Sequence, residues 1–187
     1  PDGRRVISAS WDDTLKVWDL KTGVALIPLE GHAHVVTACV VTPDGRRAIS
    51  ASADETLKVW DLESGRALMT LEGHVLGVIA CAVTPDGLRV ISASDDKTLK
   101  VWDLESGRAL ATLEGHANRV VACVATPDGR RVVSASDDKT LKVWDLATYA
   151  CLLTHYGDAA FTAVTATETS IVAGDNSGSL WFLDWPP

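Results

Sequence analysis

A serine with an aspartate four residues later recurs in four near-identical stretches, at 8–20, 50–62, 92–104 and 134–146. The last two both read SASDDKTLKVWDL, and three of the four have a histidine upstream. Serine, histidine and carboxylate are the parts of a hydrolytic triad, in which the carboxylate orients an imidazole that takes the serine proton. That chemistry needs one reactive serine, in a cleft, beside oxyanion donors. Equivalent sets, none on a glycine-rich nucleophile turn, point instead to scaffolding that repeats.

The elements that carry these residues repeat with them. PDG recurs at 1, 43, 85 and 127, a period of 42, and residues 43–84 and 85–126 are identical at 31 of 42 positions. Such internal similarity is the mark of one structural unit used repeatedly. Each unit reads as four short strands. In the second unit they are VVTACVVT (35–42), RRAISAS (46–52), TLKVWDL (56–62) and RALMTLE (66–72). The breaks are PDG (43–45), where proline presets φ and glycine tolerates positive φ, then ADE (53–55), ESG (63–65) and GH (73–74). No segment sustains helical periodicity, so the chain is all-β. In the third strand Leu57 and Val59 lie on one side, Trp60 and Leu62 on the other. With both faces apolar, the sheets must stack face to face, and radial stacking gives a propeller.

A repeat of this length, with GH at one end and WD at the end of the third strand, resembles the WD40 family, closely over 1–146 and loosely over 147–187. The resemblance implies four-stranded antiparallel blades at about 1–30, 31–72, 73–114, 115–156 and 157–187. The first blade lacks its first strand and the last its fourth, leaving eighteen strands and a partial ring. It implies rings usually of seven blades. Upstream residues of the same polypeptide, on the order of 100, are therefore expected to close the ring, rather than a second copy. Pro28 falls in a fourth strand, which the resemblance places at a blade's outer edge, where a missing N–H costs least.

The same resemblance implies a structural tetrad per blade: His32, Ser50, Asp54 and Trp60; His74, Ser92, Asp96 and Trp102; His116, Ser134, Asp138 and Trp144. Such a set is physically reasonable. Imidazole donates from one nitrogen and accepts at the other, and a buried indole N–H needs an acceptor. Ser52, Ser94 and Ser136 share a strand face with the chosen serines, and only the resemblance prefers the first of each pair. The first unit has Ser8, Asp12 and Trp18 without a histidine, and the last has Asp158 and Leu183 at the histidine and tryptophan positions.

Composition narrows the partners. The net charge is −8, which disfavours a general nucleic-acid or anionic-membrane binder. No apolar run approaches the ~20 residues that span a bilayer. Cys39, Cys81 and Cys123 recur at one repeat position, without zinc-ligand spacing, and read as small buried thiols. A reducing cytoplasm is the expected setting. No cofactor is expected: the chain has no phosphate-binding loop and no kinase signature. The innermost strands (35–42, 77–84, 119–126, 160–167) contain no histidine or carboxylate, which argues against the alternative of a propeller enzyme with a channel site.

Variation between repeats gathers after GH and just before the turn aspartate. These positions, Trp11, His34, Val35, Ala53, Leu76, Gly77, Asp95, Asn118, Arg119 and Asp137, are placed by the resemblance around the channel mouth, the family's usual partner-binding surface. A protein or peptide partner is expected there, with Trp11 as a candidate anchor and Arg119 as a solvated residue. His34 and His155 read as surface imidazoles. Near-identical repeats and the ending GSLWFLDWPP are similar to long bacterial chains whose propeller follows a STAND-type ATPase or a kinase. That implies a scaffold or sensor module in signalling; a passive scaffold is the other non-enzymatic reading.

Overall fold

The computed structural model describes residues 3–185; Pro1 and Asp2 of the first PDG, and Pro186 and Pro187, lie outside the described residues. Eighteen strands and no helix make up the described chain. The first sheet runs β1 (Arg5–Ala9), β2 (Leu15–Asp19), β3 (Ala25–Leu29). The second runs β4 (Val36–Val41), β5 (Arg47–Ser52), β6 (Leu57–Asp61), β7 (Ala67–Leu71). The third is β8 (Val78–Val83), β9 (Arg89–Ser94), β10 (Leu99–Asp103), β11 (Ala109–Leu113), and the fourth β12 (Val120–Ala125), β13 (Arg131–Ser136), β14 (Thr140–Asp145), β15 (Cys151–Tyr156). The fifth has three strands, β16 (Phe161–Ala166), β17 (Ser170–Asp175) and β18 (Leu180–Asp184). Every pairing is antiparallel between sequence neighbours, and β4, β8, β12 and β16 adjoin one another as the innermost strands. Among the described residues no pairing joins the first sheet to the fifth.

Turn chemistry closes each hairpin. Gly45 sits at φ 70°, its N–H donating to the Thr42 carbonyl at 2.8 Å, while Asp44 accepts the Arg46 N–H. Asp13, Glu55, Lys97 and Lys139 take the same left-handed region without being glycine, at φ 67–71°. The third strand bulges against the fourth at each tryptophan, between Val59 and Trp60 for instance, which adds local twist. Pro28 lies opposite Lys16 in β3, an outer strand with no further neighbour.

The core lies between sheets rather than within them. Leu15, Val17 and Leu29 of the first sheet meet Val36, Ala48, Trp60 and Leu62 of the second. Ile49, Leu57 and Val59 in turn meet Val90, Trp102 and Leu104 of the third. Both faces of β6 are therefore buried: Leu57 and Val59 are fully enclosed on one side, Trp60 and Leu62 nearly so on the other. At ~25 cal/mol per Å² of apolar surface, these joints supply the main driving force of the fold.

An arginine also crosses each joint. Arg5, Arg47 and Arg89 each donate from Nη1 to the backbone carbonyl of the leucine fifty-seven residues on: Leu62, Leu104 and Leu146. Arg131 has instead the ring of Trp185, 5.4 Å from its guanidinium.

Candidate functional site

The three histidines sit where one sheet's outer strand gives way to the next sheet's inner strand. Each imidazole is enclosed: His32, His74 and His116 have no side-chain exposure. His32 Nδ1 lies 2.7 Å from Asp54 Oδ2, and its Nε2 2.6 Å from Ser50 Oγ. Trp60 Nε1 donates to the same hydroxyl at 2.8 Å. The second set repeats this with His74, Asp96, Ser92 and Trp102 at 2.6, 2.7 and 2.8 Å, and the third with His116, Asp138, Ser134 and Trp144 at 2.8, 2.8 and 2.9 Å. Thus the first serine of each SAS joins the network, while the second turns away: Ser52 Oγ donates to the His34 carbonyl.

Asp–His–Ser contacts are those of a hydrolase triad, yet the chemistry is closed off. Ser50, Ser92 and Ser134 are fully buried, and an indole N–H occupies the oxygen that would have to attack. With the indole donating to serine, the hydroxyl proton is free to go to imidazole Nε2, and Nδ1–H goes to the carboxylate. One neutral tautomer satisfies every group in the chain.

The titration behaviour agrees with that arrangement. Burial lowers the pKa of His32, His74 and His116, against the opposing pull of their aspartates. Burial works to raise Asp54, but bonds from Thr56, the Ala33 amide and His32 outweigh it and hold the carboxyl at about 2. Asp96 and Asp138 are lowered in the same way. Asp54 also fixes its turn, its Oδ1 accepting from the Thr56 amide and hydroxyl.

A model of the family described as WD domain, G-beta repeat matches residues 1–19, 23–61, 65–103 and 107–145. The chain belongs to the WD40 family. No curated protein matches it. WD40 repeats generally mediate protein interactions, and their propeller is generally a binding module rather than an enzyme.

In this WD40 chain the variable loops gather at one end of the sheets, opposite the PDG turns. Backbone bonds stitch them together: the Ala53 amide to the Val35 carbonyl, Asp95 to Gly77 and Asp137 to Arg119. Loop and turn also meet across a joint, the Val36 amide donating to the Ser10 carbonyl at 3.1 Å. Gly77 presses on the neighbouring sheet, where a Cβ would lie 3.2 Å from Ala53 Cα. On this rim Trp11, His34, Leu76, Asn118 and Arg119 are exposed, while Val35, Ala53, Gly77, Asp95 and Asp137 are half-buried. Trp11 is 86% exposed and Val75 72%. Arg119 is not simply solvated: its Nε holds Asp137 Oδ2 at 2.6 Å. Among the described residues Asp95 Oδ1 is buried without a partner.

The end sheets depart from the pattern. In the first, Trp18 Nε1 donates to Ser8 Oγ at 2.9 Å without an imidazole, and Asp12 turns to Thr14 and Lys16. In the fifth, exposed Asp158 only offers its carbonyl to Lys139 Nζ. The indole here belongs to Trp181, which donates to Asp175 Oδ2 at 2.7 Å. Hydrogen bonds from the Ser177 hydroxyl and this indole hold the Asp175 carboxyl at about 2. His155 corrects the surface reading: its ring packs 5.3 Å from Trp181 and 6.3 Å from Phe161, with Nε2 buried and unpartnered among the described residues. It stands opposite Leu141, where Leu71 stands opposite Leu57, so a histidine fills a leucine's place in the joint.

Cys39, Cys81 and Cys123 also serve the joints, each thiol reaching a carbonyl of the preceding sheet (Ile7, Ile49 and Ile91) at 3.7–3.8 Å. Burial raises all three, Cys123 to about 12. Among the described residues no group of three or more His, Cys, Asp or Glu is arranged to hold a metal ion.

Proposed function

We propose that this chain is the partner-binding portion of a non-catalytic WD40 propeller, and that it engages a protein or peptide through the rim built from 10–13, 33–36, 52–55, 75–78, 95, 117–120 and 137. One contrast carries this reading. The framework beneath the rim is nearly invariant from repeat to repeat, whereas the rim varies and keeps large apolar side chains in water: Trp11 at 86%, Val75 at 72% and Leu76 at 49% exposure. An exposed aromatic at a loop tip is a usual interface anchor. The finer reading is a scaffold or sensor in a larger, bacterial, cytoplasmic signalling protein. The near-identity of successive repeats supports it.

Selection of peptides from a display library against the chain provides the test. Trp11→Ala and Leu76→Asp are expected to weaken the selected peptides at least tenfold and leave the melting temperature nearly unchanged. Leu68→Asp, on the outer strand β7, is expected to change neither. Peptides that bind all three variants as well as the parent would refute the rim as the site.

A further inference from the structure

The four rim turns are chemically split, although their backbones are alike. Trp11 and Ala53 precede the tetrad-position aspartates of the first two sheets, whereas Asp95 and Asp137 do so in the third and fourth. Two residues on, at the left-handed position, stand Asp13 and Glu55 in the first pair and Lys97 and Lys139 in the second.

The second pair balances its own charge. Asp95 and Asp137 each have a lysine two residues on, Asp137 also holds Arg119, and Lys139 Nζ reaches the Asp158 carbonyl. The first pair does not. Among the described residues, neither the Asp13 nor the Glu55 side chain has a hydrogen bond or ion pair. The nearby lysines are engaged elsewhere, Lys16 Nζ 4.0 Å from Asp12 and Lys58 Nζ donating to Thr70. The two turns are held side by side through the 33–36 loop, by the Val36–Ser10 and Ala53–Val35 backbone bonds. Exposed His34 lies in that loop between them, its Nδ1 occupied by the Val35 amide.

One sector of the rim therefore presents an indole in water on a turn that also carries half-buried Asp13, with exposed Glu55 on the next turn. Among the described residues neither carboxylate is ion-paired, although Asp13 lies within electrostatic reach of buried His32. The face of an indole attracts a cation, and adjacent carboxylates add to that attraction. The net charge of −8 draws cationic partners toward the whole molecule. We propose that the partner is a basic peptide segment that places an arginine or lysine over Trp11, between Asp13 and Glu55. This rests on the rim as the binding surface and adds the chemistry of what binds.

Two pools of random peptides serve as probes, one with arginine or lysine fixed at the centre and one with glutamate there. Enrichment is expected from the basic pool alone, with affinity falling at least tenfold between 50 and 300 mM salt, as on the order of one to two ion pairs and a long-range field require. Asp13→Lys with Glu55→Lys copies the residues that the third and fourth sheets already carry at the same backbone position, so the fold is expected to persist, checked by circular dichroism. This double variant is expected to lose the basic peptides at least tenfold. Equal enrichment from both pools, lost on Trp11→Ala but kept in the double variant, would overturn the basic partner and leave the rim standing. Enrichment indifferent to Trp11 and Leu76, or none from either pool, would overturn both.

Discussion

At the scale of single residues, the tetrads show how connectivity and reactivity come apart. Asp54, His32 and Ser50 are linked as in a hydrolase, but Trp60 donates to the serine oxygen and roofs it. The histidine, serine and aspartate were legible in the sequence as a recurring set, because period 42 aligns them. Which serine of each pair takes part was not, since Ser50 and Ser52 alternate onto the same face, and only the observed bonds separate them. Trp60→Ala removes a ring that is 1% exposed and takes the indole N–H from the Ser50 oxygen. A loss of about 3–5 kcal/mol is expected in urea unfolding. A change below about 1 kcal/mol would mean that the ring contributes little to the joint.

Elements were easier to foresee than the contacts between them. Eighteen strands and the opposed faces of β6 follow from turn chemistry and two-residue alternation, and the three-stranded sheets at either end from laying the units over one another at period 42. Contacts across joints leave fainter traces. The arginine at 5, 47, 89 and 131 has a sequence signal, its period, but nothing local says that the first three reach a carbonyl in the next sheet and the fourth a tryptophan ring. In the fifth sheet the pattern degrades, so neither Trp181 on Asp175 nor His155 in a leucine's place can be read from spacing. His155→Leu restores the residue found at the equivalent position 71 and removes a buried nitrogen with no partner. It is expected to raise stability by about 1 kcal/mol, seen as a higher urea midpoint. A lower midpoint would show that the imidazole makes a contact the leucine cannot replace.

Over the whole molecule, three equivalent histidines make stability depend on pH. Each is held below its ordinary value by burial, so between that lowered value and 6.5 the unfolded chain binds protons that the folded chain refuses. Stability is thus complete above pH 6.5 and declines as pH falls through it, by up to about 1.4 kcal/mol per pH unit for each histidine. A further decline follows below about 3.8, as Asp54 is protonated on the way to its folded value of about 2. Urea midpoints at pH 5, 6, 7 and 8 are expected to fall toward the acid end. Midpoints that stay level would mean the imidazoles charge as readily in the fold as outside it.

The uneven spread of basic residues has one more outcome. Lys142 is the last lysine or arginine in the sequence, and it lies within β14, bonded to Thr154. Trypsin cuts only after such residues, and the exposed Lys139 is the last one on a turn. However the rest of the chain is nicked, no such site lies within 143–187, and cleavage at Lys142 itself requires β14 to come out of its sheet. The moment cleavage after Lys142 is first seen in a timed digest is therefore a direct clock for the opening of the fourth sheet.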